Sequence, residues 1–176
     1  MSSCFTNPKP AIVMVLCLML AACWEEKKPQ GTAEHILKST KGGDFRGINI
    51  GDRPEDVKRT EDAETVYSMP DELVYRIPPN DKDSTWYEIS YNFNQQGLYN
   101  IDLEIYPAAD SGMSSLREDF ITHYKLKYGE CQVYNGYCQW RTMTEGGHIV
   151  SITLSDTLAN AARPCLKVNF NESQSQ

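Results

Sequence analysis

Three acidic residues are spaced so that they would lie together on one side of a β-hairpin: Glu88, Asp102 and Glu104. Carboxylates grouped in this way attract a basic protein partner or bind a cation such as Ca²⁺. Trp86 and Tyr106 fall on the same face and supply aromatic side chains of the kind that anchor protein interfaces. These five are therefore the candidate binding residues.

The hairpin itself is predicted from two alternating segments. In residues 85–94 and 98–106 apolar side chains occupy every second position, and a period of two on both sides of a short link is typical of a hairpin. The link, residues 95–97, ends in a glycine and suits a three-residue loop. This register turns eight apolar residues to the core-facing side: Tyr87, Ile89, Tyr91, Phe93, Tyr99, Ile101, Leu103 and Ile105.

The same register sets the acidic residues against one another. Glu88 falls opposite Glu104, and Asp102 falls opposite Ser90. Like charges directly across a ladder cost up to about 1 kcal/mol. Three arrangements would relieve this repulsion: Lys or Arg from a neighbouring strand on a solvated face, a basic protein partner, or a bound cation.

The histidines and cysteines show no catalytic or metal-binding pattern. His35, His123 and His148 are far apart in the chain, and none has a second ligand at metal-binding spacing. A nucleophilic pair between Cys165 and a histidine has no local support. We therefore expect no metal, no cofactor and no enzymatic activity.

Two cysteines, Cys131 and Cys138, flank a predicted hairpin turn at Asn135 and Gly136. A two-residue turn places them diagonally on one face, and a small bulge would bring the sulfur atoms to bonding distance. We predict a structural Cys131–Cys138 disulfide. Cys165 is out of phase with the inward residues of its strand and is expected to face away from the core. A bridge from Cys165 to one of the other two, or no bridge, are the alternatives.

Cys23 directly follows Leu20–Ala22, after an apolar run at residues 11–20 and the basic Lys9. This order predicts a secretory signal peptide at residues 1–22. The segment resembles the lipobox of bacterial lipoproteins, and the resemblance implies that the Cys23 thiol receives a diacylglycerol, with acyl chains such as palmitate. The alternative is a secreted protein with a chance cysteine. Trp24 lacks the acidic character linked to inner-membrane retention, which favours the outer membrane in a Gram-negative cell.

The charge balance restricts the kinds of partner. The chain carries 17 Lys and Arg against 24 Asp and Glu, a net charge of −7. Removing residues 1–22 takes away one Lys and no acidic residue, which changes the net charge from −7 to −8. An acidic protein of this kind is not expected to bind nucleic acid or to adhere electrostatically to anionic lipid. Attachment to the membrane would depend on the N-terminal lipid.

Four segments are predicted along the chain. The signal peptide at 1–22 precedes a polar, flexible tether at 23–43, then a single domain at 44–171 and a disordered tail at 172–176. The alternative for the tether is a helix docked on the domain near Ala33. Within the domain we predict strands at 45–50, 72–78, 148–157 and 165–171, a short helix from Asp52 to about Asp62, and a main helix from Ser115 to Gly129. This order predicts an α+β fold, a two-layer arrangement of an antiparallel sheet with helices packed on one face.

Residues 45–106 resemble a known family. The segment Ile48–Val57, with Gly51 and Asp52 before its helix, and the hairpin phrases around Tyr91 and Gly97 look like the lipoprotein BamE (SmpA/OmlA) pattern and the related β-lactamase-inhibitory proteins. The resemblance implies a small sheet that binds another protein through its exposed side, without catalysis.

Together these features predict a lipid-anchored cell-envelope protein that faces the periplasm or the exterior. Its expected role is non-catalytic protein recognition, as an assembly factor, inhibitor or immunity protein, with a basic partner favoured by the acidic face. One alternative is a structural envelope lipoprotein without a specific partner. Another is a small-ligand carrier, which would need a concave pocket lined by convergent polar groups.

Overall fold

The computed structural model describes residues 32–77, 85–107, 110–156 and 164–173. The predicted signal peptide, Cys23, the first part of the predicted tether, the polar segment 78–84 and residues 174–176 of the predicted tail lie outside these described residues. For residues 110 and 111 the structure describes the backbone and not the side chains.

Helices and strands alternate in groups along the described chain. In order, the elements are α1 (Thr32–Leu37), a 3₁₀ turn (Ser39–Lys41), α2 (Pro54–Thr60), β1 (Glu64–Ser68), β2 (Glu72–Ile77), β3 (Trp86–Asn94), β4 (Gly97–Tyr106), α3 (Asp110–Tyr128), β5 (Gln132–Tyr134), β6 (Tyr137–Met143), β7 (Ile149–Asp156) and β8 (Leu166–Glu172).

These strands form one eight-stranded sheet in the order β1-β2-β3-β4-β8-β7-β6-β5, and every neighbouring pair is antiparallel. The sheet thus consists of two four-stranded meanders, β1 to β4 and β5 to β8, joined where β4 pairs with β8. This junction sets Leu103 opposite Val168 and Glu104 opposite Lys167. It brings together segments that are more than sixty residues apart in sequence.

The predicted fold class is wrong. We expected a two-layer α+β fold in which helices cover one face of a modest sheet. Instead, the described chain is dominated by a continuous antiparallel sheet of eight strands, and its three helices have six, seven and nineteen residues. Neighbouring strands lie about 4.8 Å apart and a helix is about 10 Å wide. One long helix and two helices of one to two turns are therefore too few to form a second layer over a sheet of eight strands.

The burial of the strands follows the predicted period of two. In β3 and β8 buried and partly exposed residues alternate, and the predicted inward set Leu166, Val168 and Phe170 is at most 1% exposed. These side chains join the core together with apolar residues of α1, the segment 45–50, α2 and α3. The opposite side of the sheet, called the outer face below, carries the polar partners of this alternation.

The β3–β4 hairpin has the predicted register over most of its length. Glu88 lies opposite Glu104 and Ser90 opposite Asp102. Near the turn the ladder contains a bulge, because Phe93 pairs with Leu98 and Asn92 with Asn100, which leaves Tyr99 as the extra residue. Leu98 is consequently buried and Tyr99 is 36% exposed. The prediction that Tyr99 faces the core is therefore wrong.

The described part of the predicted tether belongs to the folded domain. In α1 the side chains of Ala33, Ile36 and Leu37 are at most 2% exposed. The Arg46 guanidinium donates a hydrogen bond of 2.7 Å to the carbonyl of Ile36, one of the carbonyls at the end of this helix. The described chain thus agrees with the docked-helix alternative for residues 32–37. At the other end, β8 continues to Glu172, into the segment predicted as a tail.

A buried ion pair, Arg46–Glu61, connects α1 to the start of the sheet. Arg46 donates two hydrogen bonds to the two oxygens of Glu61, at 2.8 Å from Nε and 2.7 Å from Nη2, and the Tyr91 hydroxyl donates a third at 2.9 Å. Burial acts to raise the pKa of Glu61, but the hydrogen bonds and charge of Arg46 outweigh it and hold this pKa below its ordinary value.

The remaining helices differ from prediction mainly at their first residues. α2 has Arg53 at its N-cap and Pro54 as its first residue, whereas we predicted a start at Asp52. α3 begins at Asp110, five residues before the predicted Ser115, and its last residue is Tyr128, directly before the predicted terminating residue Gly129, whose φ is +84°. Its N–H donates to the carbonyl of Lys125 at 2.9 Å, which is typical of a glycine-terminated helix.

Candidate recognition surface on the outer face

The outer face positions its side chains through the strand alternation of β2, β3, β4 and β8. Because successive residues of a strand point to opposite sides, burying the apolar set in the core turns the intervening polar set outward. The cross-strand pairs of this ladder then decide which polar groups meet. All five predicted binding residues lie on strands β3 and β4 of this face.

The predicted carboxylates are compensated by side chains from the neighbouring strands. Arg76 of β2 donates to Glu88 at 2.9 Å, and Lys167 of β8 donates to Glu104. The Asp102 carboxylate accepts a 2.6 Å hydrogen bond from the Asn169 amide. The structure therefore has the first of the three arrangements that would relieve the repulsion, with cations from adjacent strands.

The two aromatic residues form a stack at the same end of the sheet. The rings of Trp86 and Tyr106 lie 4.2 Å apart at an interplanar angle of 14°, and the Arg76 guanidinium carbon lies 5.6 Å from the Trp86 ring centre. The Tyr106 hydroxyl also donates to Glu104. Hydrogen bonds from Lys167 and Tyr106 hold the pKa of Glu104 below its ordinary value.

Six residues thus form one connected group, which we call the charged end: Arg76, Trp86, Glu88, Glu104, Tyr106 and Lys167. Four of these residues are among the binding residues predicted from the sequence, whereas Arg76 and Lys167 are not. A basic residue on an alternating strand was the available signal for both. That signal identifies the two residues only when the strand order is known, because Arg76 and Lys167 come next to the hairpin through the β2–β3 and β4–β8 pairings.

No disulfide joins the three described cysteines in the structure. The sulfur atoms of Cys131 and Cys138 lie 2.7 Å apart, which is longer than a disulfide bond of about 2.05 Å. The predicted disulfide therefore stays a prediction, for which the structure supplies proximity. Cys165 is buried but lies outside the main core cluster, where burial and the Glu104 charge raise the pKa of its thiol.

The three histidines occupy separate environments. The His35 ring lies 6.0 Å from that of Tyr87, and His123 is a partly buried residue of α3 whose pKa is lowered to about 4 by burial and by Lys127. His148 precedes β7, and its Nδ1 lies 2.6 Å from a carboxylate oxygen of Glu172. Among the described residues no group of three or more His, Cys, Asp or Glu side chains is arranged to hold a metal ion.

Comparisons with known proteins gave no relatives. No family model, no curated protein and no solved structure matches this chain. In the described residues no helix is both long enough and apolar enough to cross a membrane.

Proposed function

We propose that this chain is a lipid-anchored cell-envelope protein that recognises another protein through the charged end of its outer face, without catalysis. The observation that carries the proposal is the stack of Trp86 on Tyr106 with the Arg76 guanidinium above the indole. Trp, Tyr and Arg are the residue types that dominate the binding energy of protein interfaces. Here paired strands hold them in place, so that little conformational entropy is lost on binding.

The charges around the stack favour a partner that is moderately basic. Glu88 and Glu104 each have an internal cation, whereas Asp102 contacts the neutral amide of Asn169. These three carboxylates and two cations leave one net negative charge on this part of the outer face. The lipid-anchored chain without residues 1–22 carries a net charge of −8 as a whole, which would speed the approach of a basic surface more than it would strengthen the final complex.

The envelope location depends on Cys23. Acylation at this residue would keep the domain at a membrane surface, since two or more acyl chains give stable anchoring. In cells fed with labelled palmitate, we expect label on the wild-type protein and none on the Cys23→Ser variant, which should be recovered in the soluble fraction. Equal labelling of the two proteins would contradict lipidation at this site.

The recognition role is tested by crosslinking the lipidated protein in intact cells, followed by gentle solubilisation and identification of copurifying proteins. The sharpest variant exchanges a pair, Arg76→Glu with Glu88→Arg, because it retains the ion pair and reverses the charge pattern seen by a partner. Its matched control exchanges Asp56 and Arg59, an exposed pair on α2 with a separation of 2.7 Å. We expect loss of one partner from the first variant and full recovery with the control.

Two outcomes would contradict the proposal. A partner that both exchanged variants retain equally, and that also survives Trp86→Ala, would place the interface elsewhere on the molecule. Recovery of abundant envelope proteins alone, unaffected by any variant, would favour the structural lipoprotein without a specific partner.

A further inference from the structure

We propose that a polar cleft at the end of the sheet opposite Trp86 binds a neutral, hydroxyl-rich ligand such as a short saccharide. The cleft has a volume of about 660 Å³, within the 300–1,000 Å³ that is usual for small-molecule sites. It lies where the β3–β4 turn, the start of β7 and the end of β8 meet. The proposal does not depend on the protein-recognition role.

The lining of the cleft offers hydrogen bonds in both directions. The side-chain amides of Asn94, Gln96 and Asn171 line it, together with Tyr99. Each amide has two N–H donors and a carbonyl acceptor, and the phenol both donates and accepts. Adjacent hydroxyl groups of a sugar also donate and accept, so a planar amide can serve two of them at once. The loop is held in shape because Oδ1 of the Asn94 side chain accepts the backbone N–H of Gln96 at 2.7 Å.

The charges in the cleft favour a neutral ligand over an ion. Its described lining residues include one carboxylate, Glu172, and no Lys, Arg or Asp. Glu172 is engaged with His148, since Nδ1 of the histidine lies 2.6 Å from its carboxylate oxygen. An anion would meet this carboxylate without a facing Lys or Arg. A cation would compete with the histidine for one already engaged group.

Two apolar surfaces border the hydrogen-bonding groups. Tyr99 is 36% exposed and Ile149 is 40% exposed, and both line the cleft. Tyr99 reaches this position because the bulge in β4 removes it from the core-facing series, and bulges commonly redirect a side chain beside a functional site. An aromatic ring beside amides matches a sugar, which presents apolar C–H faces and polar hydroxyl edges.

The walls of the cleft are preorganised by two glycines. Gly51 has a φ of +95°, and a Cβ at this position would lie 2.6 Å from Nε2 of His148. A Cβ on Gly97 would lie 2.3 Å from the carbonyl oxygen of Gly51. The backbone of Leu98 connects the hairpin to this segment. Its carbonyl accepts a hydrogen bond from the Gly51 N–H at 2.8 Å, and its N–H donates to the Asp52 backbone carbonyl at 2.8 Å. This close packing fixes the histidine and the hairpin turn relative to each other.

The test is an NMR titration of the ¹⁵N-labelled mature chain with maltotriose and with triacetylchitotriose as neutral probes. Triglucuronate and spermidine are the anionic and cationic comparisons. We expect saturable shifts of the amides of Gln96, Tyr99 and Asn171 with at least one neutral trisaccharide and none with the charged probes. Retention on insoluble chitin or starch would assign the site to a polysaccharide chain, and binding of the trisaccharide alone would assign it to a free sugar.

The variants decide whether the shifts report this cleft. Tyr99→Ala should weaken binding about 5- to 10-fold, and Asn171→Ala about 3- to 10-fold, from the loss of one aromatic contact or one hydrogen bond. Tyr134→Ala is the matched control, because Tyr134 is 60% exposed at the β5–β6 turn and is not part of the cleft. Absence of saturable binding of either neutral probe, binding unaffected by Tyr99→Ala, or preference for a charged probe would overturn the proposal.

Discussion

Arg46–Glu61 and Arg76–Glu88 are both Arg–Glu ion pairs, but the first is buried and the second lies at the surface. The side chains of the first pair are at most 1% exposed and are joined by two hydrogen bonds. Those of the second are 49% and 33% exposed and are joined by one contact of 2.9 Å. Removing one partner of a buried pair leaves a desolvated charge, whereas water replaces the lost partner at the surface.

This difference separates residues that hold the fold from residues available for recognition. Arg46 and Glu61 connect α1, the segment before α2 and, through Tyr91, the centre of β3. Arg76 and Glu88 connect two strands that already share a ladder of backbone pairs. Their charges therefore add little to the sheet, and a partner protein can use them without a large cost to folding.

Glu61→Gln gives the largest expected effect. The substitution removes the buried carboxylate paired with Arg46 and leaves the exposed Asp62, 3.3 Å from Nη2, as its remaining counter-charge. Breaking a buried ion pair typically costs about 3–5 kcal/mol of unfolding free energy. Glu88→Gln is the matched surface control and should cost less than about 1 kcal/mol. Urea denaturation of the mature chain measures both. Equal losses for the two variants would remove the distinction between the structural and the recognition pair.

The sequence predicted those parts of the fold that are set by local pattern and turn chemistry. The register of Glu88 with Glu104, the turn at Asn135 and Gly136 that sets Tyr134 opposite Tyr137, and the helix end at Gly129 are all as expected. Each depends on residues fewer than twenty positions apart, where alternation and glycine placement are sufficient.

Long-range pairing accounts for most of what the sequence did not predict. The β4–β8 junction joins residues such as Asn100 and Phe170, so neither the single eight-stranded sheet nor the Lys167–Glu104 pair follows from local pattern. β1 was missed because all five of its residues are exposed, which leaves no alternating apolar set to detect. The cleft was missed because it depends on the Tyr99 bulge and on the meeting of three separate segments.

A Cys131–Cys138 disulfide would stabilise the edge of the sheet formed by β5 and β6. This edge is distant in sequence from the buried Arg46–Glu61 pair. The bond would close a loop of about eight residues and contribute about 2 kcal/mol. We expect protein from an oxidising compartment to yield a linked peptide pair by mass spectrometry, and reduction to lower the unfolding free energy by that amount. Cys165→Ser should leave both results unchanged. A linked peptide containing Cys165 instead would refute the predicted pairing.

His123 tests whether burial of a titratable side chain without an ion-pair partner makes the unfolding free energy depend on pH. Its pKa falls from 6.5 to about 4 because of burial first and the Lys127 charge second. The unfolded chain therefore binds a proton that the folded chain does not, and stability present above pH 6.5 is lost as the pH falls toward 4. Between pH 7 and 5 we expect a loss of about 1–2 kcal/mol, which urea titrations should find reduced in His123→Gln. An unchanged pH slope in this variant would assign the loss to other groups.

The smallest expected effect is the coupling between Arg76 and Glu88. A double-mutant cycle with Arg76→Gln and Glu88→Gln should give less than about 1 kcal/mol, and 1 M salt should reduce it further. Arg76→Gln alone also removes the contact with Trp86, worth about 0.5–1 kcal/mol at an exposed site. A coupling above about 2 kcal/mol would mean that the charged end stabilises the sheet as the buried pair does. Its charges would then have a structural explanation, and their arrangement around the aromatic stack would no longer support a recognition role.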